Sequence, residues 1–102
     1  MIKFNFFKMI IRIVKLTLQE NKTQDFLLLF DKYKAAIKSS EGCINVEGSQ
    51  NIVAPNIFFT YSYWKSEDDL NNYRNSPLFK EVWPQVKVWF AQKPETWSNK
   101  VI

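Results

Sequence analysis

Thr60, Ser62 and Trp64 recur at every second residue of Ile57-Phe-Phe-Thr-Tyr-Ser-Tyr-Trp64. In an extended segment this spacing sets two hydroxyls and an indole on one side, with Phe58 beside them. Small polar residues between large rings leave space. With Phe79 and Trp83 as further walls, the set fits a small-molecule cavity, mostly apolar with a few convergent polar groups. The same rings would equally serve as core filling. The chemistry open to such a site is narrow. The 102-residue chain has no histidine and one cysteine, Cys43. Ser-His-Asp and Cys-His mechanisms, a histidine ligand to haem, a cysteine metal cluster and an internal disulfide framework are therefore excluded. No Asp/Glu set has a recognisable metal-ligand spacing, so no metal is expected. The acidic run Glu67-Asp68-Asp69 reads as a helix start behind the N-cap Ser66, where carboxylates meet the positive helix end, rather than as a catalytic cluster.

The elements that must position these residues follow from periodicity. Met9 to Leu18 is β-branched and roughly alternating, with Ile11 and Ile13 on one side and Arg12, Val14, Leu16 and Leu18 on the other, a central strand. Asn21 and Gln24 have capping-box spacing and open a helix from about Lys22 to Ser39. Its apolar face is Phe26, Phe30, Tyr33 and Ile37, and Gly42 suits the left-handed position after its end. A second strand runs from about Cys43 to Asn51, a turn at Ala54-Pro55-Asn56 makes a hairpin, and the ring-rich strand follows. A short helix spans Glu67 to about Arg74. Ser76-Pro77 starts another, in which Pro84 predicts a kink or restart. A last strand covers Thr96 to Ile102. The order β-α-β-β-α-β predicts an α+β, ferredoxin-like fold with an antiparallel sheet and both helical stretches on one face.

The other side of the ring-rich strand carries Ile57, Phe59, Tyr61 and Tyr63. A sheet backed by helices on one face would turn these rings to water. A second copy of the same sheet covers them most simply, which predicts a homodimer with those four residues at its interface.

At 102 residues the chain is a single domain, and its aromatic content of 17% is high. The net charge of +4 falls to +2 without Lys3 and Lys8, and the remaining charges of both signs are interspersed. That is a solvated surface, with no nucleic-acid partner expected. Residues 1–8 read as an extension ahead of a domain at 9–102. They lack a cleavage site, and no apolar run is long enough to span a membrane, so the expected location is cytoplasmic.

Phe58-Phe-Thr-Tyr-Ser-Tyr-Trp-Lys-Ser-Glu-Asp-Asp-Leu70, with Tyr73-Arg74-Asn-Ser-Pro-Leu-Phe79-Lys-Glu-Val-Trp83-Pro84, resembles the antibiotic biosynthesis monooxygenase (ABM) family from Met9 to Ile102. The resemblance implies a dimeric α+β barrel. It also implies oxygenation of a small aromatic, phenol or quinol without metal, flavin or haem. Trp64 matches the strand-end tryptophan, the expected catalytic residue, which would pack against a flat substrate and support an oxygenated or radical-like intermediate. Thr60, Ser62, Phe58, Phe79 and Trp83 would line the substrate site, with Tyr61 and Tyr33 as weaker candidates. The polyketide-oxygenating branch has an Asn and a Tyr where this chain has Thr60 and Leu70. The haem-degrading branch has an Asn and a His that fall on Val14 and Trp83, so haem degradation is not expected. Two other readings stand beside this one. RNA-recognition motifs share the element order, but the basic and glycine residues of their strand-three consensus are missing around Asn56-Ile57-Phe58. A non-catalytic dimer that binds a hydrophobic metabolite would need the same cavity without turnover.

Overall fold

The computed structural model describes residues 8–102. The strands are β1 (Ile10–Thr17), β2 (Cys43–Gln50), β3 (Ile57–Trp64) and β4 (Glu95–Lys100), and the helices are α1 (Thr23–Lys38), α2 (Glu67–Arg74) and α3 (Pro77–Lys87). The sheet is antiparallel throughout, in the order β2-β3-β1-β4, and is open in the single chain. This is the expected ferredoxin-like α+β arrangement, with β1 and β3 central. The proposed extension at residues 1–8 lies, apart from Lys8, outside the described residues.

Local chemistry explains most of the boundaries. The Ser66 hydroxyl accepts from the Asp69 N–H at 3.2 Å, and the Ser76 hydroxyl accepts from the Phe79 N–H at the same distance. Pro77 takes the first helical position of α3. Gly42 has φ of +78°, and its backbone lies so close to the Asp69 side chain that a Cβ would overlap it. The turn after α1 is thereby seated on the start of α2.

Two expectations are corrected. Asn21 does not cap α1. The chain first makes a tight 3-10 turn at Glu20–Lys22, closed by Lys22 N–H to Gln19 C=O at 2.9 Å, and α1 then starts at Thr23 behind Lys22 with no side-chain cap. Of the kink or restart expected at Trp83-Pro84, the restart does not occur: α3 continues through Pro84 to Lys87. The carbonyl that Pro84 leaves unpartnered belongs to Lys80, and both residues are exposed, so the missing bond falls on the solvent side, where it costs least.

The core lies between the sheet and the helices. Leu16, Leu18, Phe26, Leu29, Phe58, Val82 and Val86 form its buried cluster. On the other face of the sheet, Ile11, Ile13, Phe59, Tyr61 and Tyr63 are half-buried, and Trp97 of β4 is 43% exposed.

Candidate functional site

A cavity of about 440 Å³ lies between the helix-facing side of the sheet and α1, α2 and α3. Its floor is built in rows by the strand register. Thr60 stands opposite Val14, and Ser62 opposite Arg12. Arg12 in turn stands opposite Ser98 of β4, and Val14 opposite Thr96. Leu16 closes the apolar end, where Phe26 and Leu29 descend from α1 and Val82 and Val86 from α3. Phe30 and Tyr33 of α1, Tyr73 of α2, and Phe79 and Trp83 of α3 complete the walls. The floor is therefore graded along the strands, from Leu16 through Val14 and Thr60 to Arg12 and Ser62.

Of the residues expected from sequence, Thr60, Ser62, Phe79 and Trp83 meet at this cavity, as does Tyr33. Phe58 and Trp64 are not among its lining residues. Phe58 is buried on the same side of the sheet, opposite Leu16 past the apolar end, its ring 4.6 Å from that of Phe26. Trp64 is 0% exposed, so it does not stand at a cavity mouth. Its indole N–H donates to the Ser62 hydroxyl at 2.9 Å, and its ring stacks on Tyr73 at 5.0 Å. Both of these partners line the cavity. Ile57, Phe59, Tyr61 and Tyr63 lie on the opposite face of the sheet, and the Tyr61 hydroxyl accepts from Ser49 at 3.5 Å.

Trp64 begins a ladder of rings along one wall. Tyr73 meets Phe79 edge-on at 5.4 Å, Phe79 stacks on Trp83 at 5.8 Å, and Trp83 leans on Phe90 at 5.5 Å. Such contacts fix ring orientations and hold the wall in shape. Across the cavity, Phe30 lies over Gly48 of β2, and a Cβ on that glycine would come within 2.9 Å of the Phe30 ring.

Besides Thr96, three polar groups at the site were not singled out from sequence. Tyr73 lies one helical turn beyond Leu70, which also lines the cavity. Burial first, and the nearby Cys43 thiol second, push its phenol up to about 12, so it remains a neutral hydrogen-bond donor at physiological pH. Arg12 and Arg74 supply the other two groups. Arg12 donates from Nη1 to Ser98 Oγ at 3.0 Å. Desolvation, and then the charge of Arg74, hold the Arg12 guanidinium below its ordinary pKa, though it remains a cation at neutral pH. The sequence did carry a signal for Arg12, because it shares its alternation with Val14, Leu16 and Leu18, the stripe that faces the helices. No carboxylate or histidine lines the cavity among the described residues, and among them no group of three His, Cys, Asp or Glu side chains could hold a metal ion.

The chain belongs to the family described as antibiotic biosynthesis monooxygenase, which matches residues 9–84. Solved structures share the fold. A conserved protein from Methanosarcina mazei is 24% identical with a TM-score of 0.88, over 95% of this chain and 96% of that one. A candidate antibiotic biosynthesis monooxygenase from Nitrosomonas europaea is 17% identical with a TM-score of 0.88, over 99% and 96%. SnoaB, a cofactor-independent oxygenase from Streptomyces nogalater, is 12% identical with a TM-score of 0.82, over 92% and 93%. No curated protein matches the chain in sequence.

Proposed function

We propose that this member of the antibiotic biosynthesis monooxygenase family is a monooxygenase for a small phenol or quinol, working without a metal, flavin or haem. The observation that carries the reading is the cavity itself, walled by aromatic rings and lined by hydroxyls and guanidinium groups but, among the described residues, by no carboxylate or histidine. A general base must lie within hydrogen-bond reach of the proton it takes, and no carboxylate or histidine of the described residues lines the cavity. The substrate therefore has to supply its own anion, as a phenol or quinol does on losing a hydroxyl proton. That anion reduces dioxygen by one electron, and the resulting radical pair combines at a ring carbon that bears hydrogen. The peroxide takes up the substrate's hydroxyl proton, and loss of the proton from that carbon breaks the O–O bond, leaving one oxygen on the ring as a carbonyl and releasing the other as water.

The chain's residues hold and orient the substrate. Phe79 and Trp83 offer one wall along which a flat ring system lies, and the Thr60 and Ser62 hydroxyls meet its oxygens, with the Tyr73 phenol as a further donor. Trp64 acts through its neighbours in this reading. Because indole N–H can only donate, Ser62 accepts from Trp64 and its own O–H stays free for the substrate. Oxygen uptake with a panel of naphthalene quinols tests the reading. Catalysed uptake that falls by about 1–2 kcal/mol of transition-state stabilisation in Trp64→Phe is expected. No uptake above the uncatalysed rate, with the same quinols bound, would favour the second reading, a metabolite-binding protein without turnover.

The same proposal includes a homodimer. The open face carrying Ile57, Phe59, Tyr61 and Tyr63 would pack on its copy, and two open sheets would complete a barrel. An interface of this permanent kind buries roughly 2,000 Å² or more.

A further inference from the structure

Arg12 and Arg74 are two cations at one end of an apolar cavity, and neither has an acidic partner. The ion pairs among the described residues are Lys15–Glu95 and Lys22–Asp25, and residues 1–7 contain no Asp or Glu. Arg12 is half-buried on the helix-facing side of the central strand. One of its five N–H donors goes to Ser98, and that bond fixes the guanidinium across the floor. Desolvating a cation and setting a second one near it both cost free energy, which an anion placed between them recovers. Ser62, directly opposite Arg12, has its hydroxyl proton free because Trp64 occupies its acceptor side. At the far end the cavity turns wholly apolar, at Leu16, Phe26, Leu29 and Val86.

We infer that the cavity selects a planar aromatic anion, its ionised oxygens held by Arg12, Arg74 and Ser62 and its rings lying along Phe79 and Trp83 toward Leu16. The inference rests on the cavity being the substrate site and adds the charge class of the substrate. A phenol or quinol whose ring also bears an acidic oxygen would arrive already ionised, and the two guanidinium groups would lower the cost of the negative charge that the oxygen chemistry requires. Carboxylates and acidic enols share this chemistry.

Quenching of tryptophan fluorescence at neutral pH tests it with two matched pairs of probes: 2-naphthoate against its methyl ester, and 2-hydroxy-1,4-naphthoquinone against its methyl ether. Each anion should bind about tenfold or more tightly than its neutral partner, and the preference should shrink as ionic strength rises. Arg74→Gln, at an exposed position, should remove most of the preference by weakening the anionic probes far more than the neutral ones, while Arg12→Lys should retain part of it. If one pair alone shows the preference, the oxygen group is thereby identified. Equal binding within both pairs, or a preference intact in Arg74→Gln and in Arg12→Gln, overturns the inference but leaves the cavity as the binding site. Failure of all four probes to bind overturns both.

Discussion

Aromatic rings stand on both faces of this sheet, and the two sets are used differently. On the helix side the rings interlock, Trp64 on Tyr73, Tyr73 on Phe79 and Phe79 on Trp83, and they frame a space they do not fill. On the open side Phe59 and Tyr61 lie stacked 6.4 Å apart, with Tyr63 and Trp97 on the same face and no helix of the described residues above them. Aromatic content alone therefore says little about function. What separates the faces is the company the rings keep. On one face hydroxyls and guanidinium groups sit among them around a cavity, and on the other the neighbours are Ile11 and Ile13 of β1, Asn45, Glu47 and Ser49 of β2, and the ion pair between Lys15 and Glu95 at 3.5 Å.

Three substitutions sharpen that contrast, and the largest effect is expected on the helix side. Trp64→Ala removes a wholly buried ring, a stacking partner of Tyr73 and the hydrogen bond to Ser62, and should lower unfolding free energy in a denaturant titration by roughly 3–5 kcal/mol. A loss below about 1 kcal/mol would mean that the wall does not depend on Trp64. On the open face, Tyr61→Asp should leave the fold intact by circular dichroism yet weaken self-association by about 2–3 kcal/mol, seen as a shift toward the 12.2 kDa chain in light scattering. Unchanged mass would mean that the open face is not the interface. The smallest effect concerns Tyr73. Its folded-state pKa, near 12, exceeds the ordinary value of 10, so between these limits the folded chain keeps a proton that the unfolded chain has lost. The associated stability is fully present below pH 10 and disappears as pH rises through 12, roughly 2 kcal/mol in all. Tyr73→Phe should flatten this alkaline slope. An identical slope in the variant would place the phenol in water.

The architecture was legible because its signals are local and repeated. Alternation marked β3 from Ile57 to Trp64, and Ser66 and Ser76 announced α2 and α3 through chemistry confined to three or four residues. Where two local rules competed, the reading failed, as at Asn21, where a 3-10 turn preceded the helix. Pro84 shows a rule relaxed by position, because its lost bond lies on the exposed side. The site was legible only in part. Thr60, Ser62, Phe79 and Trp83 could be assigned because each lies on a face that periodicity defines, and the same periodicity could not give the depth of Trp64. Arg74 looked like an ordinary cation at a helix C-terminus, a place that favours basic residues for its own reasons. For Arg12 the alternation with Val14, Leu16 and Leu18 gave the face, and only the register set it opposite Ser62 and Ser98. Long-range pairing holds that second part, and a single strand does not contain it.

Gly48 has a consequence for how such a cavity can change. It lies on exposed edge strand β2 and is not a lining residue, yet the Phe30 ring, which is a wall, rests where its side chain would be. Any replacement by a larger residue must displace that ring. The width available to a ligand is thus written partly on the outer edge of the sheet, and a lineage could retune which ligands fit by a single methyl group there, leaving every residue that touches the ligand as it is.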